Sequence, residues 1–95
     1  MSQVVEEKVV VPNPQGIHAR PSAMIVKTAA GFDATLHIEN PAEDVCADAS
    51  SIMEVMTLVA TQGTELHITG EGPEAAEGVR ALTALIRRGF DEMDT

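Results

Sequence analysis

Gly16-Ile17-His18-Ala19-Arg20-Pro21-Ser22 is the stretch of this chain whose residue types and spacing suit chemistry. It lies where a loop enters a helix, and Pro21 falls in that helix's first turn, where a missing N–H costs little. His18 is thereby placed at or near the N-cap. Unpaired backbone N–H groups and the positive end of the helix dipole point to this position, which makes it a ready anion site. The same field disfavours imidazolium, so His18 is expected to have a lowered pKa and to be neutral at pH 7. Neutral imidazole is a nucleophile; the protonated ring is not. Arg20 is almost the only cation of this region besides Lys27, and its planar fork matches phosphate oxygens. Phosphoryl transfer asks mostly for positioning and charge stabilisation. The phosphate-binding set His18, Ala19 and Arg20, with free amide donors, supplies both. The residues alone also fit a histidine that caps a helix beside a solvated arginine.

Positioning this stretch requires a framework, and the hydrophobic pattern provides one. Val4 to Val11 is β-branched and ends at the turn cluster Pro12-Asn13-Pro14, which predicts a strand. Ala19 to Ala30 predicts a helix, with Ser22, Ile25, Val26 and Ala29 on one face. Gly31 is expected to take a left-handed conformation at its end, with Phe32 folding back onto the last turn. Thr35 to Glu39 alternates, with Leu36 and Ile38 facing one way and His37 the other. After Asn40-Pro41 a short strand around Val45 to Ala47 is expected to pair back as a hairpin.

A brief helix follows from Ser51 to about Leu58, then a stop at Gln62-Gly63. Glu65 to Thr69 is the last strand, and a final helix is expected to start at Pro73 with Val79, Leu82, Leu85 and Ile86 as its buried stripe. Arg87 and Arg88 complement its dipole, and Gly89-Phe90 repeats the ending at Gly31-Phe32. The order is β-α-β-β-α-β-α, and amphipathic helices with alternating strands pack as one antiparallel sheet covered on one face. His37 and His67 then lie on the uncovered face. They do not make a metal site, since no Cys or carboxylate spacing completes a tetrahedron around them.

Ninety-five residues suit one domain, 1–95, around one core. Six basic residues against fifteen acidic ones give a formal net charge of −9, and no Lys or Arg lies between Lys27 and Arg80. Such a field repels phosphate backbones and anionic lipid heads, and a chain with two Phe, no Trp and no Tyr lacks platforms for base stacking. Nucleic acid is therefore not an expected partner. No apolar run is long enough to span a bilayer and the N-terminus has no signal-peptide core, so a cytoplasmic location without membrane insertion is expected. The single Cys46 suits a reducing compartment and is expected to be a small, partly buried apolar residue.

Gly-Ile-His-Ala-Arg-Pro-Ser-Ala at 16–23 resembles the active-site signature of the histidine-containing phosphocarrier (HPr) family of the bacterial phosphoenolpyruvate-dependent phosphotransferase system. A second stretch, Ser51-Ile52-Met53-Glu54-Val55-Met56-Thr57-Leu58 with Thr61-Gln62-Gly63-Thr64 after it, is similar to the family's regulatory-serine helix. The resemblance covers nearly the whole chain. It implies an α+β open-faced sandwich whose four-stranded antiparallel sheet has the order 1-4-2-3, with three helices on one face. It implies that His18 receives phosphate on Nδ1 from the phosphohistidine of enzyme I and donates it to an enzyme II A domain of sugar transport or a regulatory counterpart. Arg20 would stabilise the phosphoryl group. Ala19, Arg20, Lys27, Ile52, Met53 and Met56 would form the docking surface of a monomeric phosphoprotein that needs no cofactor.

The residues of the second helix agree with such a patch. Val55 and Leu58 can serve the core, so Ile52, Met53 and Met56 point elsewhere, and flexible Met suits surfaces that meet several partners. Ser51 with Glu54 fits a capping box, a structural role. The resemblance adds regulatory phosphorylation of Ser51 by an HPr serine kinase/phosphorylase. Two departures bear on it: Ser50 stands where regulated members often carry a basic residue, and the Glu54 carboxylate would repel a phosphoserine. With few basic groups around His18, the partners would have altered charge, or the chain would serve regulation rather than sugar uptake. The second functional reading is an HPr-like regulatory binding module, an effector whose phosphorylation state is the signal. The intact His18-Arg20 pair favours transfer, because a pure effector needs no nucleophile.

Overall fold

A computed structural model describes residues 4–92. Strand β1 (Val4–Val10) leads to helix α1 (Ala19–Ala29), then to strands β2 (Thr35–Asn40) and β3 (Val45–Asp48). Helix α2 (Ile52–Met56), strand β4 (Glu65–Glu71) and helix α3 (Ala75–Arg87) follow, and a short 3-10 turn spans Gly89–Asp91. The sheet has the order β1-β4-β2-β3 and every pairing is antiparallel, as expected. Ile38 is the centre of the register, opposite Ile68 on β4 and Ala47 on β3.

Alternation decides which face is covered. Leu36 and Ile38 on β2, Leu66 and Ile68 on β4, and Ala47 on β3 are all buried on one side of the sheet. Helix α3 lies against β1, β2 and β4, and it brings Val79, Leu82, Leu85 and Ile86 into the same core. Helix α1 adds Ile25 and Ala29, and α2 adds Val55 with Leu58 beyond its end. Fully burying a side chain of this size is worth about 1.5–3 kcal/mol, so this shared core is what holds three short helices on one sheet.

The opposite face carries the polar residues. There His67 lies opposite Lys8 and Glu39, whereas His37 lies opposite Thr69 and Asp48, so the two histidines are offset rather than paired. The carboxylates of Glu6, Glu39 and Glu65 each come to 3.8 Å from a ring nitrogen of His67.

Three local expectations are corrected. Gly31 does not take up a positive φ. Instead α1 tightens at its end, with the Gly31 amide donating to Thr28 O at 3.1 Å and the Phe32 amide to Ala29 O at 3.3 Å. Such i→i+3 bonds satisfy terminal carbonyls without a left-handed residue. Gly89 does behave as expected, at φ +66. Helix α3 begins at Ala75, not at Pro73, because Glu74 is its N-cap and Pro73 belongs to the preceding turn. Cys46 is exposed, since Ala47 is the β3 residue that faces the core and alternation turns its neighbour outward.

Candidate functional site

The chain enters the site through a braced loop. The Asn13 side-chain amide donates to Gly16 O at 2.9 Å, and the Gly16 amide donates back to Asn13 O at 3.1 Å. Gly16 has φ +66, and a Cβ there would stand 2.4 Å from Ala60 O. Only glycine lets the loop approach the segment after α2 this closely. The Ile17 amide then donates to the same Ala60 carbonyl at 2.9 Å, which ties the next residue down.

His18 is the N-cap residue of α1, with φ −111 and ψ −160, and its side chain makes no capping bond. Its carbonyl starts the helix by accepting the Ser22 amide at 2.9 Å and the Ser22 hydroxyl at 2.7 Å. Among the described residues the earlier amides, those of Ala19 and Arg20, have no such partner, and Pro21 has none to offer. The imidazole is therefore free for other work. It is 36% exposed and lies beside Arg20, which is 56% exposed.

A carboxylate remote in sequence completes the group. His18 Nε2 lies 3.1 and 3.3 Å from the two carboxylate oxygens of Glu92, and Arg20 donates to Glu92 at 2.9 Å. Asn13 donates to the same carboxylate at 3.1 Å. Burial pushes the Glu92 carboxyl up, but the hydrogen bonds from His18, Arg20 and Asn13 outweigh this and hold it below its ordinary value. The residue before the site and the turn after α3 thus meet over the start of α1. An open depression beside them is lined by Pro14, Gln15, Arg20, Asp91 and Glu92.

His18, Ala19 and Arg20, the residues the sequence singles out, stand at the start of α1. Asn13 and Glu92 are additional. Asn13 carries the ordinary signature of a turn, and Glu92 follows the last periodic segment, so neither has a local pattern that marks a site. The one available signal was Gly89-Phe90, a stop followed by an apolar anchor, which fixes where the residues just after it must run.

Helix α2 packs on α1, and it divides as expected. Val55 and Leu58 are fully buried, while Ile52, Met53 and Met56 are 39%, 76% and 49% exposed. Val59, beyond the end of α2, is exposed as well. Lys27 lies farther along α1, in its last turn, and is exposed. Ser51 is the N-cap of α2 and its hydroxyl accepts the Glu54 amide at 3.3 Å. The other half of the expected box is different: Glu54 accepts the amide of Asp48 at 3.0 Å rather than that of Ser51. The Ser51 amide is already engaged by Asp48 O, which leaves the Glu54 carboxylate to find the next donor.

Known proteins resemble this chain in sequence and in fold. The family described as PTS HPr component phosphorylation site matches residues 5–88. The phosphocarrier protein NPr of Escherichia coli (strain K12) is 33% identical over 88 residues, which cover 93% of this chain and 97% of that one. The phosphocarrier protein HPr of Pseudomonas aeruginosa is 38% identical over 86 residues, covering 90% and 93%. A crystal structure of HPr-C-His from Thermoanaerobacter tengcongensis superposes with a TM-score of 0.85 at 34% identity, over 93% of this chain and 97% of that one. A match of this extent in family model, sequence and fold places the chain in the HPr family of phosphotransferase-system phosphocarriers.

Proposed function

We propose that this phosphocarrier holds its phosphoryl group on His18, with Arg20 and the amides of Ala19 and Arg20 taking the charge that arrives with it. The observation that carries this reading is a solvent-accessible imidazole at the N-cap of α1 that makes no capping bond, beside an arginine. Phosphoryl transfer needs an in-line nucleophile and charge stabilisation, and open amides at a helix start provide the second without reorganisation.

Enzyme I is the donor in this reading, and an enzyme II A domain or a regulatory counterpart is the acceptor. Both dock on the same surface, made by Ala19, Arg20 and Lys27 of α1 together with Ile52, Met53 and Met56. Its support is the apolar side chains that α2, packed on α1, leaves outside the core. The carrier acts as one domain, 1–95, in the cytoplasm; among the described residues no helix is long and apolar enough to cross a membrane. It is not an enzyme by itself, since it returns to its starting state only with a donor and an acceptor.

The test is incubation with phosphoenolpyruvate and the enzyme I of the same cell, followed by mapping of acid-labile phosphate. Label is expected on His18 and none in His18→Ala. Label that persists in that variant overturns the assignment.

A further inference from the structure

The carboxylate of Glu92 meets His18 on one nitrogen only, Nε2, and this selects the tautomer. An ionised carboxylate has no proton to give, so the hydrogen bond requires Nε2–H as donor. A neutral ring protonated on Nε2 presents its lone pair at Nδ1. From this geometry, and resting on the reading of His18 as the phosphorylated residue, we infer that Glu92 is the positioning residue of the transfer: it holds His18 as the Nε2–H tautomer and so directs phosphorus to Nδ1.

The surroundings of Glu92 suit this task. Asn13 is fully buried, and its side-chain amide spans Gly16 O and Glu92, so the carboxylate is braced from the loop that precedes His18. Arg20 binds Glu92 through one terminal nitrogen, and the rest of its five-donor fork remains available to a phosphoryl oxygen. Fully buried Phe90 anchors the turn that carries Glu92.

In the transfer step the Nδ1 lone pair forms the N–P bond while the bond from phosphorus to the donor's leaving group breaks, and that group departs with the bonding electrons. The ring becomes a phosphoimidazolium that keeps its Nε2 proton. Its positive charge faces the Glu92 carboxylate, much as a buried carboxylate orients a catalytic imidazole and offsets its charge in serine proteases. Donation to the next protein reverses the sequence.

The experiment compares wild type, Glu92→Ala and Glu92→Gln by 15N spectra of the His18 ring near neutral pH, with no phosphodonor present. Phosphoramidate and then enzyme I serve as donors, with 15N–31P coupling identifying the phosphorylated nitrogen. Phosphoramidate donates its phosphoryl group with ammonia as the leaving group. Wild type is expected to be the Nε2–H tautomer and to label on Nδ1. Glu92→Ala is expected to mix tautomers and to label about tenfold more slowly, the scale on which loss of a ring-orienting partner acts. Glu92→Gln, which retains an acceptor oxygen but no charge, falls between them. Unchanged tautomer and rate in Glu92→Ala overturn the inference, and so does faster labelling, which would make the carboxylate an obstructing anion. A wild-type chain that labels from neither donor overturns the reading of His18 itself, a separate outcome.

Discussion

Phe90 and Glu92 are two residues apart, yet Phe90 is sealed in the core while Glu92 closes over His18 and Arg20. From Gly89 to Asp91 the backbone turns through positive φ values, +66 at Gly89, +56 at Phe90 and +63 at Asp91. A left-handed conformation costs a bulky residue about 1–3 kcal/mol, so Phe90 is held there by burial. Phe90→Ala is expected to lose about 3–5 kcal/mol of stability. It should also detach Glu92 from the histidine. Phe90→Leu keeps most of the volume and should lose less than about 1.5 kcal/mol with the contact intact. Urea denaturation gives the first quantity, and the His18 ring signals report the second. Equal effects of the two variants on the ring would show that the anchor does not govern the carboxylate.

Gly16 and Gly63 provide a matched pair. Both have positive φ, but a Cβ at Gly63 meets nothing within 4 Å, whereas one at Gly16 meets Ala60 O at 2.4 Å. Gly63→Ala is expected to cost only the left-handed penalty, about 1–2 kcal/mol. Gly16→Ala should cost more, because backbone must move as well. It should also slow phosphorylation of His18, since the loop that aims the ring is the part displaced. Comparable transfer rates in the two alanine variants would separate loop geometry from function.

Acid should release Glu92. Its folded carboxyl lies below the ordinary 4.5, because hydrogen bonds from His18, Arg20 and Asn13 outweigh the effect of burial. A group with a depressed folded pKa contributes stability that is fully present above the unfolded value and lost as pH falls through the folded one. The contact therefore holds at neutral pH and is lost in a window below about 4.5, the ordinary value. A 13C titration of the carboxyl should place its midpoint below that of an unfolded control, and Glu92→Gln should remove this part of the acid slope. A midpoint at or above the control value would contradict the hydrogen-bonded arrangement.

The docking surface can be tested apart from the fold. Met53 is 76% exposed, so Met53→Ser should change stability by no more than about 0.5 kcal/mol. If enzyme I docks there, the same change should raise the KM for the carrier several-fold while phosphorylation by phosphoramidate is unaffected. Val59 is a β-branched residue at φ +55, also exposed. Val59→Gly should stabilise the fold by about 1 kcal/mol, by relieving left-handed strain without emptying the core.

Much of this molecule was legible in the sequence because its signals are local. Alternation at Leu36 and Ile38 and again at Leu66 and Ile68 fixed the covered face of the sheet, and Pro21 three residues after His18 placed the histidine at a helix start. Contacts between Glu92 and residues 13 and 18 were not legible, since they span 79 and 74 positions and arise only when α3 ends beside the start of α1. Gly31 misled because a glycine after a helix permits a left-handed stop but does not require one. Tightening into i→i+3 bonds satisfied the same carbonyls. The capping box at Ser51 failed by half for a related reason: the serine amide had already bonded to Asp48 O, a competitor that spacing alone does not reveal.

That half-box bears on Ser51. Its hydroxyl caps the Glu54 amide, and Ser51→Ala is expected to cost about 1 kcal/mol, typical of a lost N-cap. A phosphate on the same oxygen would gain from the helix start but would approach two fixed carboxylates. Glu54 is held by the Asp48 amide, and Asp48 itself is held ionised by hydrogen bonds from the Ser50 hydroxyl and amide, which lower its pKa. Opposed carboxylates weaken the benefit that a helix N-terminus gives an added dianion. Ser51→Asp, carrying one such charge, should therefore be less stable than Ser51→Ala by thermal denaturation at low salt, with the gap closing as salt is added. Adding Glu54→Gln should restore part of the loss. An aspartate variant more stable than the alanine variant would show that the helix start outweighs its acidic neighbours, and would favour Ser51 as a modification site.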